Sequence, residues 1–311
     1  MWYKFFAKLG LIFSLAVAFS SFSVNAIETK SCNTRLQVLG AGGPEIDDGL
    51  ASPSFLVWQG DKAKVMIDAG GGSSFNFERS NANFNDLEAI LLTHLHVDHS
   101  AALPVYIKGG YFTGRDKNLK IFGPSGGANF PSTESFVGAL FDDRQQSVYP
   151  YLSDNLYQQS STDFLVEAQS IFPSNKIFVH HLTDDISIEA ISVVHGSIPA
   201  LAWRVNINAC SITFSGDMNG SSNNLQRLAK ETDLLVANNA IAQGTKGIAK
   251  RLHMTPFNIG EIARQGKVKK LLLAHFMNRT LVTKHQTHKF IRENFKGEII
   301  FSEELVFVEL E

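Results

Sequence analysis

The sequence lacks an excess of charge of either sign. Its 311 residues carry 28 Lys and Arg against 30 Asp and Glu, which gives a formal net charge of −2. Removing residues 1–26 takes away Lys4 and Lys8 and no acidic residue, so −2 becomes −4. Because dedicated RNA-binding proteins are more often basic, the charge balance argues for a small substrate, and we expect no nucleic-acid partner.

No apolar stretch is long enough to predict a membrane span. The stretch from Leu9 to Val24 has 16 residues and is interrupted by several Ser, whereas a transmembrane helix needs about 20 apolar residues. Lys4 and Lys8 precede it, and Val24-Asn25-Ala26 offers small residues for cleavage, as in secretory signal peptides. We predict a signal peptide over residues 1–26, no stable membrane anchor, and a periplasmic or secreted protein.

The sequence also lacks internal repeats, low-complexity linkers and blocks of like charge, which argues against repeat arrays and charged tails. With 44% hydrophobic content, residues 27–311 are predicted to form one domain with a large core. Cysteine is scarce, with Cys32 and Cys210 only. An oxidising compartment would permit a disulfide between them, and two buried thiols are the alternative. The oligomeric state is left open.

Side chains that can bind metal are concentrated in the segment Thr93-His94-Leu95-His96-Val97-Asp98-His99. The segment follows the apolar residues 89–92, which predict a buried strand, and precedes residues 100–105, which could open a helix. Three imidazoles and a carboxylate at one turn require water or a cation. His94 and His96 project to the same side while Asp98 and His99 can face a neighbouring point, which suits two metal ions.

Three further side chains of this kind follow apolar strands. His195 closes residues 188–194, Asp217 comes after residues 211–215, and His275 ends residues 270–274. Strand ends of a parallel or mixed sheet present functional groups to a cleft. Mixed sets of imidazoles and carboxylates suit zinc, with manganese or iron as other occupants.

The order HxHxDH, His, Asp, His resembles the metallo-β-lactamase superfamily over nearly all of residues 27–311. The resemblance implies an α/β fold, a four-layered αββα sandwich, and two metal ions. One ion is implied to bind His94, His96 and His195. The second is implied to bind Asp98, His99 and His275, with Asp217 bridging both.

Two shorter motifs indicate a branch of that superfamily. His253-Met254-Thr255 resembles the HxT element of the ribonuclease Z-like phosphodiesterase branch, and Gly123-Pro124-Ser125-Gly126 is similar to another element of it. In that branch the HxT histidine is not a metal ligand and assists the leaving group. Thr255 also suits the N-cap of a helix, and both roles can hold together.

The sequence departs from ribonuclease Z in two places. Those enzymes insert a long arm between the third metal histidine and the bridging aspartate, whereas His195 and Asp217 are 22 positions apart here, which leaves room for a hairpin. They also carry a His-Glu pair where this chain has Ala237-Asn238-Asn239. We therefore expect Asn238 to replace the carboxylate that supports the HxT histidine. Both departures argue against transfer RNA processing.

The leading hypothesis from the sequence is an exported dinuclear zinc hydrolase of aryl sulfate esters. The loops Gly40-Ala41-Gly42-Gly43 and Asp217-Met218-Asn219-Gly220 resemble secreted zinc-dependent (type III) arylsulfatases. A phosphodiesterase acting on a small phosphodiester is the alternative. A lactonase, a β-lactamase or a transfer RNA 3′-processing ribonuclease ranks lower, since the HxT element belongs to the phosphodiesterase branch.

The metals suggest a mechanism for such an enzyme. Two metal ions lower the pKa of a shared water towards neutrality, which supplies hydroxide. Asp98 is predicted to orient this nucleophile and His253 to protonate or hydrogen-bond the departing oxygen. Asp68 is predicted to orient a metal ligand, with a purely structural role as the alternative. Aromatic residues of the range 104–180 are predicted to form the substrate wall, such as Tyr106, Tyr111, Phe112, Tyr149 and Tyr151.

Strands alternating with helices in two similar halves are predicted along the chain. The first half has strands near residues 35–39, 55–58, 65–67, 90–93 and 120–122 and a helix near 133–141. The second half has strands near residues 177–181, 186–194, 202–206, 211–215, 234–237 and 271–274, with helices near 256–265 and 285–294. Residues 298–301 and 306–309 are predicted to close the sheet.

Overall fold

The computed structural model describes residues 1–4, 32–127, 129–157 and 164–310. Fourteen strands lie within these ranges. They are β1 (Thr34–Gly40), β2 (Ser54–Gln59), β3 (Lys62–Ile67), β4 (Ala89–Leu91), β5 (Leu119–Pro124), β6 (Val166–Ile171), β7 (Phe178–His181), β8 (Ile186–His195), β9 (Ile198–Ile207), β10 (Cys210–Phe214), β11 (Leu234–Asn238), β12 (Lys270–Ala274), β13 (Glu298–Phe301) and β14 (Phe307–Glu309).

The same ranges contain ten α-helices and two short 3-10 helices, Phe84–Asp86 and Pro150–Leu152. The α-helices are α1 (Ser73–Arg79), α2 (Val97–Ser100), α3 (Leu103–Gly110), α4 (Thr133–Phe141), α5 (Asp154–Tyr157), α6 (Asn224–Leu228), α7 (Ile248–Leu252), α8 (Pro256–Gln265), α9 (Asn278–Leu281) and α10 (Lys284–Arg292).

Two seven-stranded mixed sheets form the centre of the molecule. The first has the order β14-β1-β2-β3-β4-β5-β6 and the second β13-β12-β11-β10-β9-β8-β7. In each sheet the early strands pair antiparallel, whereas the parallel pairs are β3 to β6 in the first and β10 to β13 in the second. Helices flank both sheets, so the predicted αββα sandwich is confirmed.

The hydrophobic core has two parts, because each sheet is covered on both faces. Side chains from both sheets meet in one cluster, which includes Val57, Phe122, Trp203 and Phe214 and extends to α6, α8 and α10. A second cluster packs α3 and α4 against the outer face of the first sheet. Burial on both faces explains why strands such as β11 and β12 are continuous apolar runs without polar alternation.

Both helices with clear start signals were predicted at their observed bounds. The Ser132 side chain accepts a hydrogen bond from the backbone N–H of Ser135 at the start of α4. The Thr255 side chain does the same for Asn258 at the start of α8, so the predicted N-cap role of Thr255 is seen. Strand β6 was missed, because its sequence Val-Glu-Ala-Gln-Ser-Ile reads as polar and lacks β-branched residues at its centre.

The prediction that residues 298–301 and 306–309 close one sheet is wrong. Strand β13 pairs with β12 in the second sheet, whereas β14 pairs with β1 in the first, with Arg35 opposite Glu309. Sequence proximity favoured a shared sheet, but the loop between the two strands crosses from one sheet to the other.

The N-terminal predictions fall largely outside the described residues. Residues 5–31, which contain most of the predicted signal peptide, are not described, so cleavage after Ala26, the boundary at residue 26 and a periplasmic or secreted location stay predictions. Within the described ranges, no helix is both long and apolar enough to cross a membrane. Cys32 and Cys210, left open by the sequence, form a disulfide with Cα atoms 5.4 Å apart.

Candidate metal centre

The seven side chains predicted to bind metal lie together at the ends of four strands. The segment 94–99 follows β4, His195 ends β8, Asp217 follows β10, and His275 follows β12. They form two groups, and within each group the candidate ligand atoms lie within 4.8 Å of one another. The first group is His94, His96, His195 and Asp217, and the second is Asp98, His99 and His275.

Two imidazoles of the first group, those of His195 and His94, are oriented by neutral partners. The Nδ1–H of His195 donates to the backbone carbonyl of Leu252 at 2.8 Å, which leaves Nε2 free. The Thr93 hydroxyl donates its hydrogen to Asp68 at 2.8 Å, so its oxygen accepts from Nδ1 of His94 at 3.1 Å. His94 therefore presents Nε2, which lies 3.0 Å from Nδ1 of His96.

The second group is supported by a carboxylate. His99 Nδ1–H donates to Asp68 Oδ2 at 2.7 Å, which leaves Nε2 to face the site. Asp98 Oδ2 lies 3.5 Å from Nε2 of His99 and 3.4 Å from Nε2 of His275. Carboxylate–histidine pairs of this kind fix the tautomer of a metal-binding histidine and raise its basicity. The Asp68 carboxylate thus contacts a candidate ligand, and its role in orienting a metal ligand stays a prediction.

Asp217 lies between the two groups. Its Oδ2 is 3.9 Å from Nε2 of His94, 3.6 Å from Nε2 of His195 and 3.9 Å from Nε2 of His99. Its Oδ1 is 3.4 Å from Nε2 of His275. Oδ2 therefore lies near His94, His195 and His99, and Oδ1 lies near His275, so the carboxylate is close to histidines of both groups, as a bridging carboxylate requires.

The chemistry of the buried nitrogen atoms fits metal binding. Nε2 of His99, His195 and His275 is buried and has no hydrogen-bond partner within the described residues. An unpaired buried polar atom is unfavourable in a protein interior, and three such lone pairs converging on a shared carboxylate suit cations. Together with the ligand types, this makes the cluster compatible with a dinuclear metal site.

The protein environment lowers the pKa of the histidines in the first group and raises that of the histidines in the second group. Burial lowers the pKa of His94, His96 and His195, so these imidazoles are neutral at pH 7. Burial also disfavours the charged form of His99, but the charge and hydrogen bond of Asp68 outweigh it and raise the pKa to about 9.

His275 follows the same rule as His99. Its burial is outweighed by the charges of Asp217 and Asp98, so its pKa is raised. Burial likewise disfavours the charged form of Asp217, but the surrounding imidazoles, His275 foremost, hold its pKa well below the usual range. The carboxylate is therefore ionised at neutral pH.

His253, the candidate leaving-group residue, lies at the edge of both groups. Its ring centroid is 5.4 Å from that of His195 and 5.8 Å from that of His275. Nδ1 lies 3.7 Å from Asp217 Oδ2. Burial is the main cause that lowers the pKa of His253 to about 4, with Asp217 opposing it. The imidazole is therefore neutral at pH 7 and offers an N–H as a hydrogen-bond donor.

The structure differs from the expected role of Asn238. Its Nδ2 donates to Asp217 Oδ1 at 2.8 Å, so its amide holds the bridging carboxylate rather than His253. Strand β11 ends at this residue and is parallel to both β10 and β12, which directs the side chain towards the loop after β10. The contact with His253 was expected because Asn238 stands where ribonuclease Z has a His-Glu pair. A position in the sequence does not determine the direction in which the side chain points.

The loop Gly40-Ala41-Gly42-Gly43, which the sequence linked to arylsulfatases only by resemblance, packs against His275. The backbone N–H of Gly43 donates to the carbonyl of Phe276, and that of Phe276 donates to Ala41. A Cβ on Gly43 would lie 2.8 Å from Cε1 of His275. His275 itself has φ of +57°, a sparsely populated conformation for a non-glycine residue. Close approach of this loop therefore holds a strained residue in place.

The aromatic residue that reaches the site is Phe130, which the sequence reading did not name. Its ring centroid is 5.6 Å from that of His96, and the ring is half-buried. Among the predicted wall residues, Tyr106 is buried under α3, where it packs against Phe77 and Phe84. Phe130 lies within the range 104–180, but composition alone did not single it out, and the predicted substrate wall stays a prediction.

With this geometry in place, the chain was compared with known proteins. Residues 63–276 match the family described as the β-lactamase superfamily domain. The chain belongs to this superfamily. The match spans β3 to β12 and contains all seven candidate ligands, so the resemblance inferred from the motifs is confirmed.

Curated relatives are ribonuclease Z enzymes. The chain is 24% identical to ribonuclease Z of Thermobifida fusca over 281 residues, covering 82% of this chain and 87% of the relative. It is 26% identical to ribonuclease Z of Picrophilus torridus, covering 79% of this chain and 86% of the relative.

Solved structures show the same fold. Human tRNase Z, short form, superposes with a TM-score of 0.69 at 18% identity and covers 89% of this chain and 99% of its own. A diphosphatase of the PhnP family superposes with a TM-score of 0.59 at 16% identity and covers 89% of this chain and 98% of its own. With the family and the relatives, this supports a metal-dependent hydrolase that acts on phosphoesters.

Two expectations from the sequence are therefore wrong. The ribonuclease Z relatives contradict the exported arylsulfatase, and they contradict a small ester as the partner with no nucleic acid. The arylsulfatase hypothesis rested on the resemblance of two loops, residues 40–43 and 217–220. The argument against RNA used the net charge of the whole chain, which averages over the surface and does not describe the charge beside the site.

Proposed function

We propose that the chain hydrolyses a phosphodiester bond in RNA, with the 3′ end of a transfer RNA precursor as the substrate class to test first. The observation that carries the proposal is Asp217, whose two oxygens face two histidine groups with His253 beside them. Relatives named ribonuclease Z support RNA as the substrate.

Zinc is the metal we propose for both groups. His94, His96 and His195 would hold one ion, Asp98, His99 and His275 the other, and Asp217 would contact both. Imidazole-rich sets with one or two carboxylates suit zinc. When bound, two such ions lower the pKa of a water and offset negative charge on a phosphoryl group.

The protein's own residues supply orientation and a hydrogen-bond donor. Asp98 is ionised, because the imidazoles of His275 and His99 outweigh its burial and lower its pKa, so it can accept a hydrogen bond from the attacking water. The neutral His253 can donate its N–H to the departing oxygen. The charge of Arg279, which is anchored by a 2.7 Å hydrogen bond from Nε to the carbonyl of Ala240, also acts on His253.

A basic segment beside the site offers contacts for an RNA backbone. Residues 239–255 contain Lys246, Lys250 and Arg251 and no acidic residue. Lys246 and Arg251 are exposed, and α7 within this segment leads directly to His253. Lysine and arginine contacts to phosphates supply most of the sequence-independent affinity for nucleic acids. This local charge favours RNA although the chain is acidic overall.

The direct test uses a transfer RNA precursor with a 3′ trailer and the zinc-loaded protein. We expect endonucleolytic cleavage at the junction of the mature sequence and the trailer, with loss of activity on chelation. A single-stranded RNA without the transfer RNA fold and bis(p-nitrophenyl) phosphate serve as comparisons. Hydrolysis of the small diester without cleavage of any RNA would overturn RNA as the substrate while leaving the metal-dependent chemistry intact.

A matched pair of charge variants tests the basic segment. The double variant Lys246→Ala with Arg251→Ala should weaken RNA cleavage more than hydrolysis of the small diester. The slope of log affinity for RNA against log salt concentration should fall by about one to two units. Lys62→Ala with Lys289→Ala is the control, because both residues are exposed and lie on β3 and α10. Equal effects of the two pairs would contradict a specific role for the segment.

A further inference from the structure

Phe130 is held in a fixed position beside the first group. The backbone N–H of Gly127 donates to the carbonyl of Phe130 at 3.1 Å, and that of Phe130 donates back at 2.9 Å. Two residues later Ser132 caps α4. A Cβ on Gly126 would lie 2.9 Å from the backbone N of Ser132, so glycine there permits the tight loop. The ring is thus presented by a short, hydrogen-bonded loop between β5 and α4.

A cavity of about 230 Å³ adjoins this loop. It lies between residues 124–127 and residues 196–199, the turn that follows His195, so Gly127 both lines it and pairs with Phe130. Three serines, Ser125, Ser192 and Ser197, are among its lining residues, and the others are glycine, proline and aliphatic residues. Pockets for drug-sized ligands span roughly 300–1,000 Å³, so a cavity of this size suits a single ring system.

Phe130 and His253 contact different parts of the histidine cluster. His253 packs against His195 and His275, whereas Phe130 packs against His96. Hydrolysis forms a bond from the water oxygen to phosphorus and breaks the bond to the leaving oxygen, which receives a proton. If His253 assists that oxygen, the ester group next to Phe130 is the one that stays on phosphorus.

We propose that Phe130 and the adjoining cavity bind the nucleobase of the nucleotide that keeps the phosphate after cleavage. The inference rests on the proposed function, because it takes the substrate to be a nucleotide phosphodiester. Bases stack on exposed aromatic rings with little dependence on their identity, and the serine hydroxyls offer partners to a base edge. The ring therefore selects for a nucleoside over a small ester group.

Two small substrates with the same leaving group isolate this contact. Thymidine 5′-(p-nitrophenyl phosphate) retains a nucleoside on phosphorus, and methyl p-nitrophenyl phosphate retains a methyl group. The wild type should prefer the nucleoside ester in kcat/KM. Phe130→Leu should lower the ratio of the two values about five- to tenfold, the low end of what stacking on an aromatic ring contributes, whereas Phe130→Tyr should keep it.

Phe75→Leu is the control, because Phe75 is 64% exposed on α1 and should leave the ratio unchanged. Binding of thymidine 5′-monophosphate, measured by calorimetry, gives a second readout and should weaken by the same factor in Phe130→Leu. An unchanged ratio, or an equal loss on both esters, would overturn the base-binding role. RNA cleavage is scored separately: precursor RNA left uncut while the ratio falls would reject the RNA substrate and retain the base site.

Discussion

The two groups of side chains in the candidate metal centre are supported in different ways. The first group is oriented by neutral partners, the Leu252 carbonyl for His195 and the Thr93 hydroxyl for His94. The second is oriented by the carboxylate of Asp68, which hydrogen-bonds His99 directly. The pKa is lowered throughout the first group and raised for both histidines of the second. One cluster therefore contains two candidate metal-binding environments whose histidines differ in basicity.

The largest effect is expected from removing the residue that both groups share. Asp217→Ala deletes the carboxylate whose oxygens face His195 on one side and His275 on the other, so both ions should be lost. We expect the rate to fall by more than about a hundredfold, beyond the range seen when only a supporting partner is removed. Elemental analysis and turnover of the same sample measure this. Retention of one full ion would show that the groups are independent.

A large effect on rate without loss of metal is expected at His253, which touches both groups and is a candidate ligand in neither. His253→Ala should retain both ions and lower turnover by roughly a hundredfold, the lower part of the range for acid–base assistance. Substituted phenyl esters of phosphate give the measurement. The loss should grow as the leaving group becomes more basic; parallel plots for the two proteins would rule out a hydrogen bond from His253 to the leaving oxygen.

The difference between the groups is tested most directly at Asp68. Asp68→Asn replaces the charged partner of His99 with a neutral one, which should weaken binding of the ion at the second group about 10- to 100-fold. The other ion should be affected less, because Asp68 reaches His94 only through the Thr93 hydroxyl. Competition with a chelator yields the two affinities. Asp233→Asn is the control, since this carboxylate is also buried and accepts from a backbone N–H, that of Ser211. Equal weakening of the two metal affinities would contradict a specific role for Asp68 in the second group.

The smallest expected effect is a difference in proton release. With a pKa of about 9, His99 carries a proton at pH 7.5 that must leave when its Nε2 binds metal, whereas the lowered pKa values of the first group mean that its imidazoles are already neutral. We expect release of about one proton or more on binding of the second ion and close to none for the first. Calorimetry in buffers of different ionisation enthalpy measures both. Asp68→Asn should reduce the release, and an unchanged value would assign the proton elsewhere.

Sequence patterns predicted the fold and selected side chains that the structure brings together, because both depend on local signals. Strand ends mark where His195, Asp217 and His275 emerge, and helix caps mark the starts of α4 and α8. Direction is different: Asn238 was expected beside His253 but faces Asp217, since a side chain's target depends on the register of β10, β11 and β12. Phe130 was also not predicted, because its ring reaches His96 only through a loop whose closure depends on Gly126 and Gly127.

Substrate class was the least predictable property from sequence. Net charge counts every residue equally, whereas His253 responds to nearby charges such as that of Arg279. The spacing of His195 and Asp217 correctly predicted short hairpins, with β8 pairing to β9 and β9 to β10. A short hairpin does not imply a small substrate, because other segments of a protein can contact the phosphates of an RNA.

The position of β14 has a consequence for how the chain acquires its structure during synthesis. Strand β1 pairs with β2 on one side and β14 on the other, so the edge of the first sheet is not covered until residues 307–309 are available. Until then an apolar strand presents unpaired N–H and C=O groups, the kind of edge that recruits strands from other molecules. Nascent chains that stop short of β14 should therefore aggregate while still carrying every metal-binding residue, and co-expression of a peptide spanning residues 303–311 should restore their solubility.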